Sequence, residues 1–140
     1  VMCVEVIEHV PDPIQALKEI HRVLKPNGNL ILTAPFNSLT HYAPFHFSTG
    51  FNKYYYEENL KKIGFEIIEI IPNGNYFEYT AQELRRLKYV SKDYSKTKFN
   101  IFVKISLYII LNFLYNTSKK DEGSSELLCF GYNVLCKKTT

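Results

Sequence analysis

Three histidines, two carboxylates and a group of aromatic residues are the side chains whose types and spacing could do chemistry. Glu8 and His9 follow an apolar run at the start of the chain. An imidazole titrates near neutrality, so His9 could take a proton from an acceptor hydroxyl. The equal alternative is a structural histidine that hydrogen-bonds the start of the next helix. His41 and His46 stand five residues apart. Either could act as a general base, which makes His9, His41 and His46 the catalytic candidates. Two histidines could also begin a metal site, but no third ligand is evident beside them, so no metal is expected. Tyr42 and Phe47 interleave with this pair and could pack an acceptor ring or acyl chain, or could simply cover the core. Asn73 and Tyr76 are candidates for acceptor contact, although Asn73-Gly74-Asn75 also reads as a turn. Glu5 lies inside the apolar run, where burial without a partner would be costly.

These residues need elements to hold them. Val1–Ile7 fits a buried parallel strand. Asp12 is placed as an N-cap, Pro13 as the first helical residue, and Gln15 as part of a capping-box-like pattern. Ile14, Leu17, Ile20 and Leu24 then share one helical face, with Lys18, Glu19, His21 and Arg22 on the surface. Lys25-Pro26-Asn27-Gly28 turns the chain into a second apolar strand, Leu30–Ala34. Phe36–Asn52 has no period and reads as a long loop, a form that is often functional. A helix over Lys53–Ile63 stops at Gly64, and Phe65–Ile71 is strongly β-prone.

Tyr76–Val90 reads as a helix whose Gln82–Arg86 face is solvated or reaches an anionic substrate. Phe99–Tyr115 reads as a very apolar second helix. A buried lid is favoured for it over a helix resting on a membrane surface, although Lys92, Lys96, Lys98 and Lys104 make lipid contact conceivable. Leu127–Lys137 closes the chain as a strand, with Gly131 a bulge or a point of close approach.

Composition narrows the class. The chain has 140 residues, a length suited to one domain, with 46% hydrophobic and 22% charged residues. A net charge of +3 with scattered basic residues gives no support for nucleic-acid binding. Cys3, Cys129 and Cys136 have neither zinc spacing nor an even disulfide framework, so reduced, buried thiols in a cytoplasmic protein are expected.

The run Cys3-Val4-Glu5-Val6-Ile7-Glu8-His9-Val10-Pro11-Asp12-Pro13, with Leu17 and then Glu19-Ile20-His21-Arg22-Val23-Leu24-Lys25-Pro26-Asn27-Gly28, resembles class I S-adenosylmethionine-dependent methyltransferases. The similarity is greatest to the type 11, ubiquinone-biosynthesis-like branch. It implies an α/β, Rossmann-like sheet in which Val1–Ile7, Leu30–Ala34, Phe65–Ile71 and Leu127–Lys137 stand as strands 4, 5, 6 and 7, the last antiparallel. It further implies that residues 75–117 are a helical insertion within one methyltransferase domain, and that strands 1 to 3 with the glycine-rich cofactor turn lie outside this chain. Ligands bind at the carboxyl ends of strands in open α/β sheets, so the resemblance places Glu5, Val6, Glu8 and His9 against S-adenosylmethionine.

The function so implied is methyl transfer to a small-molecule acceptor by a longer parent, with the piece itself inactive. The first residues already read as mid-strand, which suggests a fragment. The alternative is a non-catalytic, methyltransferase-like partner module. A nicotinamide dehydrogenase shares the layout but not the landmarks around Glu8-His9 and Pro26-Asn27-Gly28.

Overall fold

The structure is a computed structural model that describes residues 1–139. The chain forms two compact units, one comprising Val1–Asn73 with the C-terminal strand, the other Gly74–Cys129.

The first unit is a four-stranded mixed sheet with two helices. Its strands are β1 (Met2–Val4), β2 (Asn29–Pro35), β3 (Phe65–Asn73) and β4 (Gly131–Lys138), in the spatial order β1-β2-β4-β3. β1 pairs parallel to β2, with Cys3 opposite Leu32. β4 runs antiparallel to both neighbours, with Leu32 opposite Val134 and Asn73 opposite Gly131. A register shift between Ile67 and Glu69 places the sheet's irregularity in β3. Gly131 is a close-approach residue, since a Cβ there would lie 2.4 Å from the carbonyl oxygen of Ala34.

Helices α1 (Pro13–Val23) and α2 (Lys53–Ile63) start and stop on local chemistry. The Asp12 carboxylate accepts from the Gln15 N–H at 2.9 Å, satisfying one of the free donors of α1. The Gln15 side chain reaches Glu19 instead of returning to Asp12, so the reciprocal half of the expected box is not formed. Lys138 Nζ donates to the carbonyls of His21 and Leu24 and so neutralises the C-terminal end of α1. Asn52 caps α2 through the Tyr55 N–H, and Gly64 ends it at φ 105°. Ile7, Leu17, Leu30, Leu32, Tyr56, Leu60, Val134 and Cys136 are buried between helices and sheet.

Several expectations are corrected. The first strand ends at Val4, because Glu5 takes φ 51° and Ile7–His9 form a 3-10 turn. Ile7 is buried from that turn rather than from a strand, while Val4 and Val6 face outward. Apolar composition alone does not distinguish these cases. His21 is not a surface residue. Its Nε2 lies 3.2 Å from the Gly64 carbonyl, and its ring meets Phe65 edge-on at 4.9 Å. β4 begins at Gly131, and Ser124–Glu126 form a second 3-10 turn before it.

The second unit is a helical hairpin of α3 (Tyr76–Tyr94) and α4 (Ile101–Ser118). Asn75 caps α3 by accepting from the N–H groups of Phe77 and Glu78, and its amide donates to Ser118 Oγ at 2.9 Å, tying the start of α3 to the end of α4. Asn100 caps α4 through Val103 N–H. The expected burial of α4 is not found. It is long and apolar enough to cross a membrane, yet only 6% of its 18-residue window is buried. Leu114 is its one buried residue, and Phe102, Tyr108, Ile109 and Phe113 are exposed. Packed against α3, an all-round apolar helix covers one stripe of itself.

Candidate active site

The carboxyl ends of β1, β2 and β3 and the amino end of β4 meet at one edge of the sheet. The long loop after β2 folds back over this edge. Phe51 N–H donates to the Pro35 carbonyl at 2.8 Å, and Ser38 N–H donates to Thr49 at 2.7 Å. Gly50, at φ 149°, lies so close to Pro35 and Phe36 that an added Cβ would fall 2.3 Å from the Pro35 oxygen. Phe47 and Ser48 donate their N–H groups to the Glu8 carbonyl at 2.9 and 3.2 Å. These bonds hold the loop against the 3-10 turn that carries His9.

The three candidate histidines, spread from residue 9 to residue 46, come together here. The rings of His9 and His41 are 4.7 Å apart, those of His41 and His46 4.7 Å, and those of His9 and His46 5.8 Å. Their tautomers follow from their partners. His9 Nδ1 faces the Phe45 carbonyl and His41 Nδ1 faces the Leu39 carbonyl at 2.8 Å. A carbonyl only accepts, so Nδ1 carries the proton in both rings and each Nε2 presents a lone pair. Ser38 Oγ donates to the Thr49 carbonyl, so its contact with His46 Nε2 at 3.3 Å is one in which the imidazole donates. Desolvation, then the neighbouring His41 and His9, lower the His46 pKa below the usual imidazole value.

Glu8 differs most from its expected place. Expected against the cofactor, it is 0% exposed, and neither carboxylate oxygen has a hydrogen-bond partner among the described residues. The closest charge partner is His9 Nε2 at 3.7 Å, beyond hydrogen-bond length. Burial is the largest cause pushing the Glu8 carboxyl above its ordinary pKa, partly opposed by the residue's own backbone N–H and by the imidazoles of His9 and His41. Glu5, expected to be buried, is exposed, and its carboxylate accepts from Thr33 Oγ1 at 2.8 Å. Thr33 was not singled out from the sequence. Its one trace there is a hydroxyl within an otherwise apolar strand.

The remaining candidates scatter. Val6 is 44% exposed beside the turn. Tyr42 meets His9 edge-on at 5.5 Å and His41 at 5.7 Å, and is largely exposed. Phe47 contributes its N–H to Glu8 and has an exposed ring. Asn73 ends β3 and lines, with Glu5, Thr33 and Gly131, a cleft of about 150 Å³. Tyr76 belongs to the helical unit, where its N–H donates to Ser124 Oγ.

Comparisons with known proteins bear on this edge. Residues 1–32 match the family described as "Methyltransferase domain". A ubiquinone biosynthesis O-methyltransferase of Pseudomonas paraeruginosa is 46% identical over 33 residues, which is 24% of this chain and 14% of that protein. A proposed sarcosine dimethylglycine methyltransferase from Galdieria sulphuraria superposes on 99% of the chain with TM-score 0.52 and 14% identity. The [4+2]-cyclase SpnF superposes equally widely with TM-score 0.50 and 16% identity. The chain spans 52% and 48% of these two structures, about half of each. One of the two is a cyclase, so the shared fold does not by itself determine the reaction. Over residues 1–32 this chain is therefore similar in sequence to the methyltransferase domain family, and over its length it has a methyltransferase-like α/β fold.

Proposed function

We propose that the protein to which this chain belongs moves the methyl group of S-adenosylmethionine to a small-molecule acceptor, and that β1, β2, β3 and β4 are strands 4, 5, 6 and 7 of its sheet. The observation that carries this reading is the imidazole cluster at the carboxyl edge, within and beside the segment that matches the family. Methyl transfer depends on positioning the acceptor for in-line attack, with a base where the acceptor must lose a proton. His9 and His41 present Nε2 lone pairs suited to that proton. Tyr42 and Phe47 offer aromatic surface to the acceptor, and Asn73 an amide at the cleft.

The cofactor fits these residues only as one wall. Glu5, Val6, Glu8 and His9 would lie beside its methionine end. The 150 Å³ cleft is well below the roughly 300–1,000 Å³ of sites that enclose such ligands. The isolated 140-residue chain is therefore expected to show no micromolar binding of S-adenosylmethionine by calorimetry. The proposed activity is tested on the longer protein by transfer of a radiolabelled methyl group to panels of phenolic, amine and lipid-linked acceptors. His41→Ala, which removes a lone pair suited to the acceptor proton, should lower kcat while cofactor affinity is kept. Cofactor binding with no transfer to any acceptor would favour a non-catalytic partner module instead.

The exposed α4 favours a second element of this reading, contact of the hairpin with an anionic lipid surface. α3 carries Glu78, Glu83, Arg85, Arg86, Lys88, Lys92 and Asp93 and cannot enter hydrocarbon. Both ends of the hairpin return to strands of one sheet, so α4 alone cannot span. It could lie in the interface with Phe102, Ile109 and Phe113 in the acyl region and Lys96, Lys98 and Lys104 near headgroup phosphates. Co-sedimentation with phosphatidylserine vesicles, reduced by Ile109→Asp and by salt, is the expected result. Equal recovery in the supernatant with and without vesicles would refute it. Such a surface would sit in a reducing compartment, which suits three buried cysteines outside any disulfide and a cytoplasmic location.

A further inference from the structure

We propose that Glu8, His9, His41 and His46 form a binding site for one borderline divalent cation of the zinc type. The inference stands on the geometry of the cluster and does not rest on the methyl-transfer reading.

One ligand atom each from Glu8, His9 and His41 lies within 4.8 Å of the others. A tetrahedral zinc with Zn–N bonds of 2.0–2.1 Å holds its ligand atoms about 3.4 Å apart, so side-chain rotations closing the group by about 1.4 Å suffice. The ring of His46, 4.7 Å from that of His41, supplies the fourth group. The absence of a third ligand near His41 and His46 in the sequence was the reason to expect no metal. The fold supplies the missing ligands from a turn more than thirty residues earlier.

The second observation is Glu8. A fully buried carboxylate with no hydrogen-bond partner on either oxygen is an expensive group, and a cation is the partner that offsets it best. The Nε2 of His9, the nitrogen left unprotonated by the Nδ1–H bond to Phe45, lies 3.7 Å from Glu8 Oε1. Two acceptors facing each other without a proton between them make a poor contact, whereas a cation between them satisfies both.

The third observation is the outer partners of the rings. Metal-bound histidines generally donate the other ring N–H to a carbonyl, carboxylate or water, which sets the tautomer. His9 does so to Phe45 and His41 to Leu39, leaving both Nε2 atoms for the ion. His46 uses Nε2–H on Ser38, which leaves Nδ1. Three imidazoles and one carboxylate suit zinc, cobalt, nickel or ferrous iron, and are a poor match for magnesium, which prefers oxygen ligands.

A cation here would pin the loop after β2 to the turn after β1. It would also take over the lone pairs that otherwise accept a proton.

The test is calorimetric titration of the chelator-treated 140-residue chain with zinc chloride, with magnesium chloride as comparison. One equivalent of zinc binding at micromolar or lower Kd is expected, and no magnesium binding. His41→Ala and His46→Ala, both in the loop, should each weaken zinc at least tenfold while the far-ultraviolet circular dichroism is kept. His21→Ala, outside the cluster, should bind as the parent does. Cobalt(II) in place of zinc should give d–d bands without a thiolate charge-transfer band. Absence of saturable zinc binding, parent-like affinity in His41→Ala, magnesium binding as tight as zinc, or a cobalt–thiolate band would each overturn the site.

Discussion

Glu8→Gln in the metal-free chain tests the reading of the buried carboxylate most directly. The substitution keeps shape and volume and removes the charge. Glu8 is 0% exposed, has no hydrogen-bond partner on its carboxylate, and has its folded-state pKa raised by burial above the ordinary 4.5. A carboxyl with a raised folded pKa contributes stability that is present below its unfolded pKa and is lost as pH rises through the folded value. At pH 7 burial of Glu8 therefore costs stability, whether it stays an anion or takes up a proton, and the neutral amide relieves that cost. The amide still buries unpaired polar atoms, each costing about 1–3 kcal/mol, so the net gain is limited to about 1–2 kcal/mol. With a urea m value of about 2 kcal/mol/M, the midpoint should rise by roughly 0.5–1 M. The assay is urea unfolding with a chelator present, at pH 7 and again near pH 4. The gain should shrink toward zero at the lower pH, where Glu8 is protonated in both states. Saturating zinc should reverse the order, because the parent keeps a ligand that the variant lacks. A less stable Glu8→Gln at pH 7 in chelator, or the same difference at both pH values, would refute the reasoning.

Other outcomes follow from the packing. Gly131→Ala puts a Cβ 2.4 Å from the Ala34 oxygen at the end of the β2–β4 pairing, and urea unfolding should show a loss of about 2 kcal/mol. Leu60→Ala removes a fully buried side chain from α2 and should cost about 3 kcal/mol in the same assay. Burial holds the Cys136 thiol up at about 11, and Cys3 and Cys129 are also buried. None of the three should react with a disulfide reagent at pH 8 until urea unfolds the chain, so rapid native labelling of Cys136 would contradict its placement.

Much of the fold was legible because the chain announces its element ends locally. Asp12-Pro13 starts α1, Asn52 starts α2 and Gly64 stops it, each through backbone groups within a few residues. The antiparallel direction of the last strand came from resemblance, and β4 does run antiparallel to both of its neighbours. Burial was less legible. Val4, Val6 and most of α4 are apolar and exposed, because hydrophobicity states a preference while the neighbouring elements decide whether it is met.

For the site, the sequence by itself determined the inventory: three imidazoles, two carboxylates, a turn after the first strand and a long loop after the second. It also carried the resemblance to methyltransferases, because the pattern from Cys3 to Gly28 lies in residue identity alone and falls within the matched residues 1–32. Only the tertiary structure decided that Glu8 lies inside, that Glu5 turns out to Thr33, and that His41 and His46 close on His9. Those facts depend on backbone carbonyls and loop hydrogen bonds, from Phe45 and Leu39 to the rings and from Phe47 and Ser48 to Glu8. Every residue carries the same carbonyl and, proline apart, the same N–H, so no pattern of side chains announces which of them will meet.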